Sequence, residues 1–383
     1  MDQSELEEKA RENFETKKSI SAEENSYYEA KIETMGLKTL ERLIQFHPNP
    51  SKLMKKGVTF AHQDLETVVE AIGRNKPWSV ICGLNPSGPL HLGHKMIFDE
   101  LLWLQQQGAE VYIPITNDES YVVGKSPTLA DSRRIAYDSV IPSIIAMGFD
   151  SKKTHIYVMS DYPEIYNVAM DLSKHTNLNR IFGVFGFGKD EVGENPGTLF
   201  YRGAVQLAQI LLPQFEEFGG PQATLINVGV DQYPYLLLSR DVARKKGFVP
   251  PSAIFTKFLP GLSGTGKMTS SRIKSSIFLT DSLKDAEKKL KKAYTGGSIL
   301  ADFQRENGGV FDICPIYNLR ANHFEPEYDL KDRCSSGDLL CGYCKKDAIT
   351  EVLQYLSEHQ AKLEDAKSRI DEYLLKTPIR SIL

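Results

Sequence analysis

The sequence predicts an α/β protein: a doubly wound, parallel-sheet domain flanked by an N-terminal helical extension and a C-terminal helical domain. Three observations point there. Between about Trp78 and Thr280, short β-branched runs alternate with amphipathic stretches of helical period, as in parallel strands joined by crossovers. After Lys284 the pattern turns mostly helical and ends in a charged stretch, Ala348 to Leu375, whose Leu353, Leu356 and Leu363 suit packed helices. With 41% hydrophobic and 25% charged residues, 383 residues suffice for two packed cores, or one large core with an appendage. The boundaries expected are 1–74 for the extension, 75–280 for the sheet domain and 281–383 for the helical domain.

Taken in order, roughly the first 25 residues are rich in Glu, Lys and Ser and poor in large apolar side chains, so they are expected to be mobile or loosely docked. From Met35, residues Leu37, Leu40, Leu43 and Ile44 fall on one helical face, closed by a turn at His47-Pro48-Asn49-Pro50. WSVICGL reads as the first strand. HLGHKMIFDELLWLQQQG reads as a helix with Met96, Leu101, Leu102 and Leu104 inward and Gly108 closing it. VYIPIT, HIYVMS and TLINVGV read as further strands. No internal repeat or low-complexity tract interrupts them.

Composition narrows the classes. No apolar run approaches the roughly 18 residues that a membrane span needs, and MDQSELEEKARENFE is acidic where a signal peptide would be basic and then apolar. The cytoplasm is the expected address. Five cysteines, three of them clustered, make no secreted disulfide framework. A formal charge of −4 means that a polyanionic partner has to be met by local basic faces. Arg240, Arg244, Lys245 and Lys246 form one such group, and Lys284, Lys288, Lys289, Lys291 and Lys292 another, although either is equally readable as a solvated helix face.

The chemistry concentrates in two segments. In GLNPSGPLHLGHKM a strand runs through a Pro- and Gly-rich turn into a helix, whose first amides and dipole suit an anion. His91 and His94 lie three apart on one face, where two imidazole donors can bond phosphate oxygens, and Gly93 between them lets a flat base or sugar approach. Zinc would need further ligands that the neighbouring turn lacks, so the bland alternative is a pair of structural histidines. Far downstream, GLSGTGK fits the spacing of a phosphate-binding P-loop, but Met268 follows where Ser or Thr must hold magnesium, and no helix clearly follows. As a mobile glycine-rich loop, Lys267, Met268, Thr269, Ser270 and Ser271 instead bring an ammonium and hydroxyls to a departing pyrophosphate. A solvent-facing surface loop is the alternative. Cys314, Cys334, Cys341 and Cys344 give C-x19-C-x6-C-x2-C, able to close on zinc or an iron–sulfur cluster, or simply buried thiols.

HxGH after the first strand together with KMTSS resembles the paired signatures of class I aminoacyl-tRNA synthetases. GVDQYPY at 229–235 resembles the strand-end motif of the tryptophan and tyrosine branch, and VFGFG at 184–188 resembles the tryptophan enzymes. KKGVTFAHQDLETVVEAIGRNKPW, CSSGDLLCGYCKK and SEHQAKLEDAKSRIDEYL extend the likeness to tryptophanyl-tRNA synthetases of archaeal and eukaryotic type, from about Met54 to the C-terminus. The resemblance implies a Rossmann-like catalytic domain, an α-helical anticodon-binding domain whose last helix packs back on the catalytic domain, ATP with Mg2+, tRNA(Trp) as partner, and a homodimer. It implies that His91, Gly93 and His94, with Gly83, contact ATP, and that Lys267, Met268, Ser270 and Ser271 hold the triphosphate. By the same likeness Asp231 meets the ribose, Gln232 orients the amino acid, and Glu119 and Gln206 belong to the indole pocket. Some relatives with similar cysteine spacing carry a cluster. Two departures stand out: Ile81 replaces an indole-contacting tyrosine, and Pro114 a substrate-reading glutamine. GLNPSGPLHLGH leans toward tyrosyl relatives, so tyrosine stays open, as does a synthetase-like RNA-binding protein without catalysis; the HxGH nucleotidyltransferases share the phosphate site but lack KMTSS and the helical domain, both of which this sequence has.

Overall fold

The structure, a computed structural model, describes residues 3–40, 50–186, 195–324 and 329–382. Leu43, Ile44, the turn at His47 to Asn49 and the end of VFGFG lie outside the described residues. The chain divides into two compact units, one of Lys38–Pro89, Ile97–Lys257 and Leu363–Leu383, the other of Met1–Leu37, Leu90–Met96 and Phe258–Lys362. Six helices matter below: α1 (Gln3–Met35), α2 (Leu92–Gln106), α3 (Tyr233–Lys246), α4 (Leu283–Lys291), α5 (Pro315–His323) and α6 (Cys341–Ala361).

The first unit holds a seven-stranded sheet: β1 (Lys38–Thr39), β2 (Thr59–Gln63), β3 (Trp78–Ile81), β4 (Glu110–Ile115), β5 (Thr154–Val158), β6 (Ala223–Val228) and β7 (Ser252–Thr256). Their spatial order is β1-β2-β7-β6-β3-β4-β5, in which β7 through β5 are parallel and β1 and β2 are added antiparallel. Counting only the parallel strands along the chain, the order is 3-2-1-4-5, so the winding reverses between β3 and β6. In such sheets the loops at the carboxyl ends flanking the reversal are where ligands bind. Strands covered on both faces read as continuous apolar runs, and Trp78, Ser79, Val80 and Ile81 are all buried, which is why β3 to β6 were readable. Residues 363–383 join this unit: the Leu375 N–H donates to the Ile156 carbonyl at 2.7 Å, and the Tyr373 hydroxyl to the Phe149 carbonyl at 2.8 Å.

Leu37 and Leu40 are buried as expected but flank β1 rather than continuing a helix. Gly36, at φ +61°, ends α1 just before them, a left-handed stop that glycine adopts without strain. Of the four residues expected to face inward from the helix at 91–108, Met96, Leu101 and Leu104 are buried, while Leu102 is half-exposed and Phe98 takes the remaining inward place.

In the second unit the apolar-poor start forms α1 and docks through Ala10, Phe14, Lys17 and Ser21, one stripe at helical spacing. Polar side chains do part of that docking: Lys17 Nζ donates to the Gly297 carbonyl at 2.6 Å and Ser21 Oγ to Asp312 at 2.9 Å. Composition could not register a helix seated by so few residues. α6 buries Cys344, Ala348, Val352, Leu356 and His359 along one face.

Candidate active site

His91 caps the start of α2, and the two histidines cap each other. The His91 N–H donates to His94 Nδ1 at 3.2 Å, and the His94 N–H to His91 Nδ1 at 3.4 Å. This is the reciprocal logic of a capping box written with imidazoles. The rings stack, 3.8 Å between centroids and 22° apart. Because each Nδ1 accepts, the network assigns the ring proton to Nε2 in both residues. Burial, aided by the neighbouring ring, lowers the His91 pKa to about 2, and burial lowers that of His94 to about 4. Both are therefore neutral at pH 7, two N–H donors without a charge. The Leu92 N–H, which the sequence left free for an anion, is taken by the Ile277 carbonyl at 3.0 Å.

Residues 260–267 form a tight hairpin, unlike a P-loop. The Gly261 N–H donates to the Gly266 carbonyl at 2.9 Å and the Met268 N–H to the Leu259 carbonyl at 2.8 Å. Gly264 (φ +76°) turns the loop where a Cβ would lie 2.4 Å from the Tyr294 ring. A single 3-10 turn, Ile273–Ser275, follows, and the next helix, α4, begins only at Leu283. Lys267 is exposed, its ammonium 4.1 Å above the Phe258 ring; Met268 is buried, Ser270 is half-buried, and the exposed Ser271 hydroxyl lies 3.0 Å from that of Thr269. The two motifs meet inside this one unit: a Cβ on Gly93 would stand 3.7 Å from Met268 Cβ.

The remaining candidates belong to the sheet unit. At the carboxyl end of β4, Glu119 accepts from Thr116 Oγ1 at 3.0 Å and from Asn85 Nδ2 at 3.3 Å. Beside it Asp118 accepts from the Tyr166 hydroxyl at 2.9 Å, and burial pushes its carboxyl up to about 6. Half-buried Gln206 follows a π-helical turn, Tyr201–Val205, a local bulge common at functional positions. Asp231, exposed, and Gln232, half-buried, sit in the 3-10 turn Val230–Gln232 between β6 and α3. Gly83, just past β3, has its missing side chain's place taken by Pro114, whose Cγ would lie 3.0 Å from a Cβ there. Ile81 is buried within β3.

The family pattern "tRNA synthetases class I (W and Y)" matches residues 73–357. This chain belongs to that family. Among the proteins similar to this synthetase are the tryptophan--tRNA ligases of Pyrobaculum calidifontis (33% identity over 88% of both chains) and Methanocaldococcus jannaschii (33%, over 89% of this chain and 93% of the relative). Among solved structures, tryptophanyl-tRNA synthetase from Aeropyrum pernix superposes with a TM-score of 0.83 at 32% identity, covering 93% of this chain and 98% of the other.

In this synthetase the cysteines do not fit a metal as they stand. Among the described residues no three His, Cys, Asp or Glu side chains are grouped so as to hold an ion. Cys314 caps α5 by accepting from the Tyr317 N–H at 3.5 Å, and the Cys344 sulfur lies 3.8 Å from Arg320 Nη1. Burial, with the neighbouring thiols of the cluster adding to it, raises the Cys314 thiol to about 11 and that of Cys334 to about 12. Residues that sequence reading missed are Asn85 and Thr116, which hold Glu119, and Gln209, whose Nε2 donates to the Tyr201 hydroxyl at 2.7 Å. Gln209 follows Gln206 by one helical turn, the one local signal that could have exposed it.

Proposed function

We propose that this synthetase activates tryptophan with ATP, releases pyrophosphate and transfers the aminoacyl group to tRNA(Trp). The observation that carries the reading is the meeting of HxGH and KMTSS in one unit, Met268 against Gly93. Similarity to tryptophan--tRNA ligases over nearly nine-tenths of the chain supports the choice of amino acid.

The attacking carboxylate is already ionised at neutral pH, so no general base or protein nucleophile is needed; placement and charge are. One carboxylate oxygen attacks the α-phosphorus while the bond to pyrophosphate breaks. The Nε2–H groups of His91 and His94 donate to phosphate oxygens without the repulsion that two imidazolium ions would bring. Lys267 swings from the Phe258 ring to the departing pyrophosphate, with Ser270 and Ser271 donating hydroxyl bonds beside it. Met268 seats the loop on Gly93, and Gly83, packed against Pro114, meets the nucleotide through its backbone. Asp231 takes the ribose hydroxyls, Gln232 orients the amino acid, and Glu119 with Gln206 binds the side chain, Glu119 accepting from the indole N–H. Magnesium enters with ATP as part of the substrate. An iron–sulfur or zinc centre forms no part of the proposal. The C-terminal helical region serves the tRNA anticodon, the enzyme works as a homodimer, and its place is the cytoplasm; no helix among the described residues is long and apolar enough to cross a membrane.

ATP–pyrophosphate exchange against each of the twenty amino acids tests this directly. Tryptophan alone should support exchange. GLNPSGPLHLGH makes tyrosine the second reading, which exchange with tyrosine alone would establish; the departures at buried Ile81 and Pro114 support a third, an RNA-binding protein without catalysis, the outcome left if no amino acid supports exchange.

A further inference from the structure

Between the two signature segments runs a short connection, Ser276 to Asp281, that touches both. On one side, Ser276 Oγ, fully buried, donates to the Thr269 carbonyl at 2.7 Å and accepts from the Thr269 N–H at 3.2 Å, holding the KMTSS segment at its middle residue. On the other, Phe278 pairs with His91 in an antiparallel bridge, secured by the Leu92 N–H on the Ile277 carbonyl (3.0 Å) and the Leu279 N–H on the Leu90 carbonyl (2.8 Å). The Phe278 and His91 rings also meet edge to face at 6.2 Å.

Both ends of this connection converge on one ammonium. Lys289, on α4, donates to the Ser276 carbonyl at 3.0 Å and to Asp281 Oδ2 at 2.6 Å, and lies 5.0 Å above the Phe278 ring. Asp281 Oδ2 in turn accepts from the Phe278 N–H at 2.9 Å. The Lys289 and Asp281 side chains are only 15% and 14% exposed, so the pair is shielded from the solvent screening that makes surface ion pairs weak. From α6, Gln360 Nε2 donates to the carbonyls of Leu279 and Asp281, both at 2.9 Å.

We infer that Lys289, acting with Asp281, is a positioning residue for adenylate formation: it sets the spacing between the Lys267 loop and the His91–His94 cap by fixing Ser276 and Phe278 at once. Lys289 touches no reacting atom in this scheme. Its effect travels through two backbone clamps, Ser276 on Thr269 and Phe278 on His91. The inference rests on the proposed role of the Lys267 loop at the phosphates. Misplacement of a reacting group by as little as ~1 Å costs about a hundredfold in rate, so a loosened clamp should be visible in turnover.

The test is a double-mutant cycle in tryptophan-dependent pyrophosphate exchange on the full chain, with Lys267→Ala and Lys289→Met. Lys289→Met should lower kcat about tenfold or more with the KM for tryptophan unchanged, and Lys289→Arg, which keeps the donors and the charge, should recover most of it. In the Lys267→Ala background Lys289→Met should cost clearly less than in the wild type, because one of the two groups it positions is already gone and only the His91–His94 cap remains to be misplaced. Equal losses in both backgrounds, an unchanged kcat, or no recovery with arginine would overturn the inference while leaving the role of Lys267 intact. If Lys267→Ala alone leaves kcat unchanged, the reading of the loop fails first and takes this one with it. Should Lys289→Met not fold, Ser276→Ala goes through the same cycle, since it cuts the clamp on Thr269 and leaves the ion pair in place: a lowered kcat that shrinks in the Lys267→Ala background supports the inference, and an unchanged kcat or equal losses in both backgrounds overturn it.

Discussion

The HxGH–KMTSS assembly and the cluster at the end of β4 are built in opposite ways. In the first, placement comes from backbone: the histidines cap one another's amides, residues 277–279 bridge 90–92, and the lysine loop is closed by its own carbonyls. In the second, side chains hold side chains, with Asn85 and Thr116 on Glu119 and Gln209 on Tyr201. Backbone-determined placement tolerates few residue types at each position, so it leaves short signatures in sequence. Side-chain placement can be rebuilt from other residues, and the two departures from the tryptophan pattern, Ile81 and Pro114, both belong to the sheet unit.

Four changes sharpen or break that contrast. Lys267→Ala should lower kcat for pyrophosphate exchange by about 10²–10³ with the KM for tryptophan and the melting temperature unchanged, as for a charge that acts only as pyrophosphate departs. Glu119→Gln should do the reverse, raising the KM for tryptophan at least about tenfold while the KM for ATP holds, since Asn85 and Thr116 both donate to one Glu119 oxygen and would hold the amide oxygen there, leaving an NH2 donor facing the indole N–H. Gly264→Ala should destabilise the fold by about 1–3 kcal/mol, read as a lowered denaturant midpoint, because the loop turns there at φ +76° against the Tyr294 ring. The smallest effect is pH-dependent. The unfolded histidines take up protons as the pH falls below about 6.5, whereas folded His94 resists until about 4 and His91 until about 2. Their contribution to stability is full above 6.5 and declines through pH 4, and His94→Gln should flatten that decline when urea midpoints at pH 7 and 5 are compared.

The parallel strands β3 to β6 were legible because doubly covered strands are nearly continuous apolar runs. β2 and β7 were not: Thr59 to Gln63 includes the buried His62, and Ser252 to Thr256 follows two prolines with only three apolar residues. α1 escaped because its docking uses a buried lysine and serine that no hydrophobic pattern registers. In the candidate site, the motif residues declared themselves through local spacing. Asn85, Thr116, Ser276, Asp281 and Lys289 could not, since each matters only through a partner brought close by the fold.

Calorimetric titration of tryptophan, without ATP, into the wild-type, Lys267→Ala and Glu119→Gln proteins probes the separation of the two halves most directly. Wild-type affinity in Lys267→Ala beside a loss of at least about tenfold in Glu119→Gln is the predicted result. Equal losses in both variants would contradict the assignment of phosphate chemistry to one half and amino-acid reading to the other.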